Sequence, residues 1–245
     1  MRLSYLPQTL VLLLGMLTNP SVRASEIGLE PFEASFEVTR NGLSLGYMDL
    51  QLSLNDAGEY SYSSQTRANA FVALFLSDTV RESSEGRIDG DRVLPQRYEY
   101  RQSNRKREKL TLLEFDWDKG KVQTESEGTR WNQKLPEGTH DKYSQQLALR
   151  LDLARGKSSV SYPVADGGRI KTYHFRVEGE EFIETPRGRL KCLRVRRSKE
   201  NKPADFTIWL AEKLDYLPVR LERKQSHGRY RMELATLKLA EKSAN

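Results

Sequence analysis

One cysteine and three histidines in 245 residues leave little material for several kinds of chemistry. Cys192 has no second cysteine to pair with, so the fold must stand on packing alone. No His-x3-His, no cysteine pair and no Asp-rich calcium loop occurs, so metal-ligand spacing is absent. His140, His174 and His227 lie far apart, and no Gly-x-Ser-x-Gly elbow presents a nucleophilic serine. The expectation is a protein that is not an enzyme, with no catalytic residues, no metal and no cofactor. Cys192, in "RLKCLRVRR", reads as a small buried residue of a strand, since no activating group adjoins it.

Long apolar runs are scarce as well. The first is Leu10 to Leu17, preceded by Arg2 and followed by Val22-Arg23-Ala24, a small-residue cleavage pattern. Residues 1–24 therefore read as a secretory signal peptide whose apolar core is too short to span a bilayer. No cysteine sits at the junction, which excludes a lipoprotein anchor. The remaining residues, 25–245, suit a single β-rich domain, periplasmic and without a transmembrane segment after cleavage. Losing Arg2 and Arg23 lowers the formal charge from +6 to +4. So small an excess of mixed charge favours solubility and does not demand a nucleic-acid partner.

What the chain has in abundance is turns separated by alternating segments. Asn41-Gly42 separates "FEASFEVTR" from "LSLGYMDLQLSL" and suits a type I′ hairpin, whose two central residues both need positive φ. Further turns are read at 55–58, 89–91, 118–121, 166–169, 178–181, 185–188 and 226–229. Phe32, Ala34, Phe36 and Val38 share one strand face; Gly46 marks a change of parity, and so a bulge, before Met48, Leu50, Leu52 and Leu54. This rhythm predicts an all-β, mainly antiparallel fold: a single curved sheet forming a barrel or half-barrel.

Two short helices interrupt it. In "HDKYSQQLALRLDLARG", Tyr143, Leu147, Leu151 and Ala154 recur at helical spacing; Asp141 or Ser144 caps the start and Gly156 stops the end. The second is "ANAFVALFL", residues 68–76, an almost unbroken apolar run in a polar chain. Phe71, Leu74 and Phe75 fall on one helical face. Three uses fit: a plug buried in one end of the sheet, a lid over an apolar cavity, or an exposed patch that inserts in a membrane or meets a partner.

Several segments together, "GRIDGDRVLPQRYEYR", "EFDWDKGKV", "LPEGTHDKYSQQLAL", "YHFRVEGEEFIETPRGRLKCLRVRR" and "IWLAEKLDYLPVRLE", resemble the bacterial family called domain of unknown function 3108. The resemblance spans roughly residues 30–240 and rests on the order and spacing of these segments, including the Asp-x-x-Ser of "DKYS". It implies an exported, β-rich protein with no established activity and no catalytic residues to carry over.

The remaining polar clusters are weak candidates. Glu178, Glu180, Glu181 and Glu184 read as a solvated hairpin tip rather than a glycosidase pair. "RQSNRKREK" (101–109), preceded by Tyr98 and Tyr100, reads as an exposed hairpin end that could meet an anionic envelope surface. The function expected is therefore non-enzymatic binding of an apolar or lipid-like ligand in the periplasm, with Phe71, Leu74 and Phe75 as its ligand-binding residues. The alternative is a cell-envelope assembly or scaffold protein that binds another protein or an anionic surface.

Overall fold

The structure, a computed structural model, describes residues 28–69, 79–104, 108–200, 203–204, 206–226 and 228–240. They build one fourteen-stranded antiparallel sheet. The first eight strands are β1 (Phe32–Arg40), β2 (Leu43–Leu54), β3 (Glu59–Ala68), β4 (Thr79–Asp89), β5 (Arg92–Ser103), β6 (Glu108–Asp116), β7 (Lys121–Ser126) and β8 (Thr129–Lys134). The helix α1 (Ser144–Ala154) follows. Then come β9 (Ser159–Asp166), β10 (Arg169–Thr185), β11 (Gly188–Lys199), β12 (Phe206–Ala211), β13 (Leu217–Gln225) and β14 (Gly228–Leu239). Sheet order runs from β8 back to β1, then through β14 back to β9.

Turn chemistry sets most of these boundaries. Asn41 and Gly42 have φ of 51° and 83°, the double positive φ of the expected hairpin between β1 and β2. The bulge at Gly46 is present: the β1–β2 register slips between Val38 and Thr39, which face Gly46 and Ser44. Gly46 has φ of 143°, and a Cβ there would lie 2.1 Å from the Arg67 carbonyl oxygen of β3, so the bulge requires glycine. The expected turn at 178–181 is not a turn. β10 runs through it, and Gly179 with φ of 149° marks a bulge opposite Arg194. Gly179 suits a bulge as well as it suits a turn, so its presence could not decide between them.

The sheet curls around α1. Tyr62 of β3 donates to Gln146 Oε1, while Tyr162 of β9 donates to Asp152 at the far end of the helix. Six of the helix's residues from Leu147 to Leu153 are buried, Asp152 being the exception, so there is no single apolar stripe. Ala154, expected on that stripe, is exposed. An element enclosed by a sheet buries residues all round. Among the described residues α1 is the one α-helix, beside a 3-10 turn at Glu212–Leu214. The other expected helix falls largely on residues 70–78, outside the described residues.

The sheet is not closed, and β8 and β9 are its two edges. A connecting segment and one aromatic side chain span the seam instead of a ladder. His140 lies parallel to Val164 of β9, with its N–H 2.9 Å from the Pro163 carbonyl and its carbonyl accepting from Ala165 N–H at 2.8 Å. Trp131 of β8 covers the β9–β10 turn, its Nε1 3.4 Å from the Gly168 carbonyl oxygen. A half-barrel with a bridged seam is therefore the outcome.

Candidate functional site

The entry into α1 is held by a buried polar cluster. Asp141, wholly buried, accepts the N–H groups of Tyr143 (2.6 Å) and Ser144 (2.9 Å) on Oδ1. Its Oδ2 accepts the hydroxyls of Ser144 (2.9 Å) and Ser84 (2.7 Å), while Asp141 N–H donates to Ser144 Oγ at 2.9 Å. This reciprocal capping explains the Asp-x-x-Ser spacing and satisfies the first orphan donors of the helix. Because the Ser84 proton goes to Asp141, the 3.0 Å contact between Tyr60 and Ser84 runs from the Tyr60 hydroxyl. Burial pushes the Asp141 carboxyl up despite its four donors. At the other end Gly156, with φ of 78°, donates to the Leu153 carbonyl and Lys157 N–H to Asp152, a Schellman stop.

Fixed in this way, α1 forms one wall of a cavity of about 350 Å³ inside the sheet. The opposite walls come from β2–β4 and β10–β14, with apolar side chains such as Leu50, Phe175, Ile208 and Met232. Most of the lining is apolar, and the size lies within the roughly 300–1,000 Å³ of small-molecule sites. Polar groups enter at a few points. Lys142 and Glu82 pair at 2.8 Å, with the ammonium 4.9 Å from the Tyr100 ring centre. Arg197 lies over the rings of Phe206 and Tyr173 at 4.4 and 5.0 Å.

Arg150 is the outlier among them. It is 1% exposed, and its Nε donates to the Asp215 carbonyl at 2.9 Å. Its guanidinium sits 5.4 Å from the Phe32 ring centre, yet Nη1 is buried with no hydrogen-bond partner. Burial pulls its pKa down; the charge of Asp215 acts against that. Gln145, 3% exposed on the same helix, leaves Oε1 unpartnered while its Nε2 donates to the Lys142 carbonyl at 3.1 Å.

The residues singled out from sequence fare unequally. Phe71, Leu74 and Phe75 lie outside the described residues, but Thr66 and Val80, in the strands that flank 70–78, both line the cavity. Cys192 is fully buried in β11, and burial pushes its thiol up to about 11, away from reactivity. His174 is paired with the Ser161 hydroxyl at 2.7 Å across β9–β10, and His227 lies outside the described residues. The glutamates are not gathered across a cleft: Glu178 meets Arg176, Arg194 and Arg196, Glu180 meets Lys191, and Glu181 meets Arg194. Of the basic stretch, Ser103 and Glu108 end the strands it joins, and 105–107 lie outside the described residues. Among the described residues, no three of His, Cys, Asp and Glu are placed to hold a metal ion, and no helix is long and apolar enough to cross a membrane.

Arg150 went unnoticed in the sequence although a signal was present. In "LALRLDL" it stands among leucines, and at helical spacing its neighbours Gln146, Leu147, Leu153 and Ala154 include no acid.

The solved structures include a similar fold. A crystal structure of a β-barrel-like protein of domain of unknown function DUF1849 from Brucella abortus aligns with a TM-score of 0.59 at 10% identity. The alignment covers 87% of this chain and 99% of that one. At such identity the likeness concerns the fold. No curated protein matches the chain. The model of the family described as Protein of unknown function (DUF3108) matches residues 35–235, a span reaching from β1 into β14, and the chain belongs to that family.

Proposed function

We propose that the protein is a non-enzymatic binder of an apolar or lipid-like ligand, acting in the periplasm after export. One observation carries the reading: a partly open, mostly apolar cavity of about 350 Å³ lies between the sheet and α1, and the described residues do not fill it. Its size and mostly apolar lining are those of small-molecule sites. A scaffold that meets partners through its edges or charged surface has no use for such a space.

Phe71, Leu74 and Phe75 are assigned to the ligand's apolar part, because Thr66 and Val80, in the strands that precede and follow 70–78 in the sequence, line the cavity. Wild-type protein is expected to take up a neutral fluorescent probe, 1-aminoanthracene, saturably. The double change Phe71→Ala and Phe75→Ala should weaken uptake about tenfold or more, since each ring offers on the order of 150–250 Å² of apolar surface, while the melting temperature stays close to wild type. No uptake by wild type, or a double mutant that simply unfolds, would favour the scaffold or the plug instead.

The address rests on the residue pattern 1–24. Export predicts a mature amino terminus at Ser25 or Glu26 in the osmotic-shock fraction. Recovery of Met1 on membrane-bound protein would contradict it.

A further inference from the structure

Resting on the cavity reading above, we propose that the ligand is an amphiphile bound head-inward, its anionic headgroup, a carboxylate or a phosphate monoester, meeting Arg150 and its acyl chain lying along the apolar walls. Arginine stays charged in a protein, and a guanidinium taken out of water without an anion is unfavourable. Arg150 is buried, lines the cavity, and carries an unpartnered Nη1. Its described partners are a backbone carbonyl and an aromatic face, and among the described residues no carboxylate side chain forms an ion pair with it. A side chain needed only to fill space here would be methionine or leucine, which carry no such desolvation penalty.

The neighbouring polar groups agree with this orientation. Lys142, in the same lining, is already neutralised by Glu82. Gln145 Oε1 supplies an acceptor that a hydroxyl near the headgroup would satisfy. Asp215 lowers the local positive potential without hydrogen-bonding through its carboxylate to the guanidinium. Arg150 and Gln145 both line the cavity, and each carries one unpartnered buried atom, a donor and an acceptor, which suits a guest that is polar at one end.

The test is displacement of 1-aminoanthracene from the protein by guests of one chain length. Dodecanoate and dodecyl phosphate are expected to displace it about tenfold or more better than methyl dodecanoate, the usual margin of a charge-assisted hydrogen bond. Acetate and inorganic phosphate, which have the head without the tail, should displace nothing. Dodecanoate against dodecyl phosphate separates a fatty acid from a phospholipid-like source. In Arg150→Met the advantage of the anions over the ester should vanish while displacement by the ester persists; Arg150→Lys should keep part of it. Equal displacement by acid and ester in wild type, or an anion preference that survives Arg150→Met, overturns the proposal and leaves the cavity reading standing. The wild-type comparison decides even if the methionine variant does not fold. Failure of every chain-bearing guest, and of the probe, overturns both.

Discussion

Asp141→Ala is expected to lower the unfolding free energy by about 3–5 kcal/mol, the range for leaving partners of a buried charged group uncompensated. The change strips acceptors from Tyr143 N–H, Ser144 N–H, the Ser144 hydroxyl and the Ser84 hydroxyl in one step. Hydrogen bonds to a charged group are worth about 1.5–3 kcal/mol each, so four would exceed that range by themselves. The excess is offset because Asp141 is itself costly to bury as an anion, which its raised pKa records. Asp141→Asn keeps an acceptor for the helix N–H groups and should cost about 1–2 kcal/mol, the value of a cap. The pH dependence has a definite sign. A carboxyl whose folded pKa is raised above its unfolded value adds stability that is full below about pH 3.8 and is lost as pH rises through the folded pKa. Urea unfolding from pH 3 upward should therefore show wild type losing ground to Asp141→Asn as the carboxyl ionises. A parallel pH profile for the two proteins would refute this assignment.

His140 works in the opposite direction. It is buried beside the seam, its ring edge-on to Tyr162 at 5.2 Å, and burial pulls its pKa from 6.5 down to about 4, with the charge of Asp152 opposing. A base with a depressed folded pKa contributes stability that is full above its unfolded pKa and is lost as pH falls, because only the unfolded chain takes up the proton. Between pH 7.5 and pH 4 wild type should lose about 3 kcal/mol through this group. His140→Leu keeps the backbone bridge to β9 and removes the titration. The difference between the two proteins in denaturant-derived stability should shrink by that amount over the same interval. A difference that stays constant with pH would show that His140 is not held neutral. Because His140 bridges the open seam, acid should also release the 135–143 segment from β9 early, seen as loss of amide protection at Ala165.

Local rules made much of the architecture legible. Asn41-Gly42, the parity change at Gly46 and the alternation from Phe32 to Val38 each depend on neighbours a few residues away, so the chain itself specifies strand, turn and bulge there. The capping pair Asp141 and Ser144 was legible for the same reason: its partners are three residues apart. The absence of cysteine pairs and metal-ligand spacings was likewise a property of the sequence alone.

Other features depend on which residues meet from far apart. Gly179 accepts a positive φ in a turn or a bulge, and only the continuous pairing of β10 with β11 selects the bulge. The helix reads as amphipathic until the sheet encloses it, after which its burial follows the strands around it rather than its own periodicity. Closure is decided by how far fourteen strands curl: here β8 and β9 stop short of pairing, and Trp131 and His140 bridge them. Arg150 is marked in the sequence only by its leucine neighbours and the lack of an acid at helical spacing. Its isolation is created by Phe32 and Asp215, more than 60 residues from it, because burial and the loss of water are properties of the assembled interior and of no single segment.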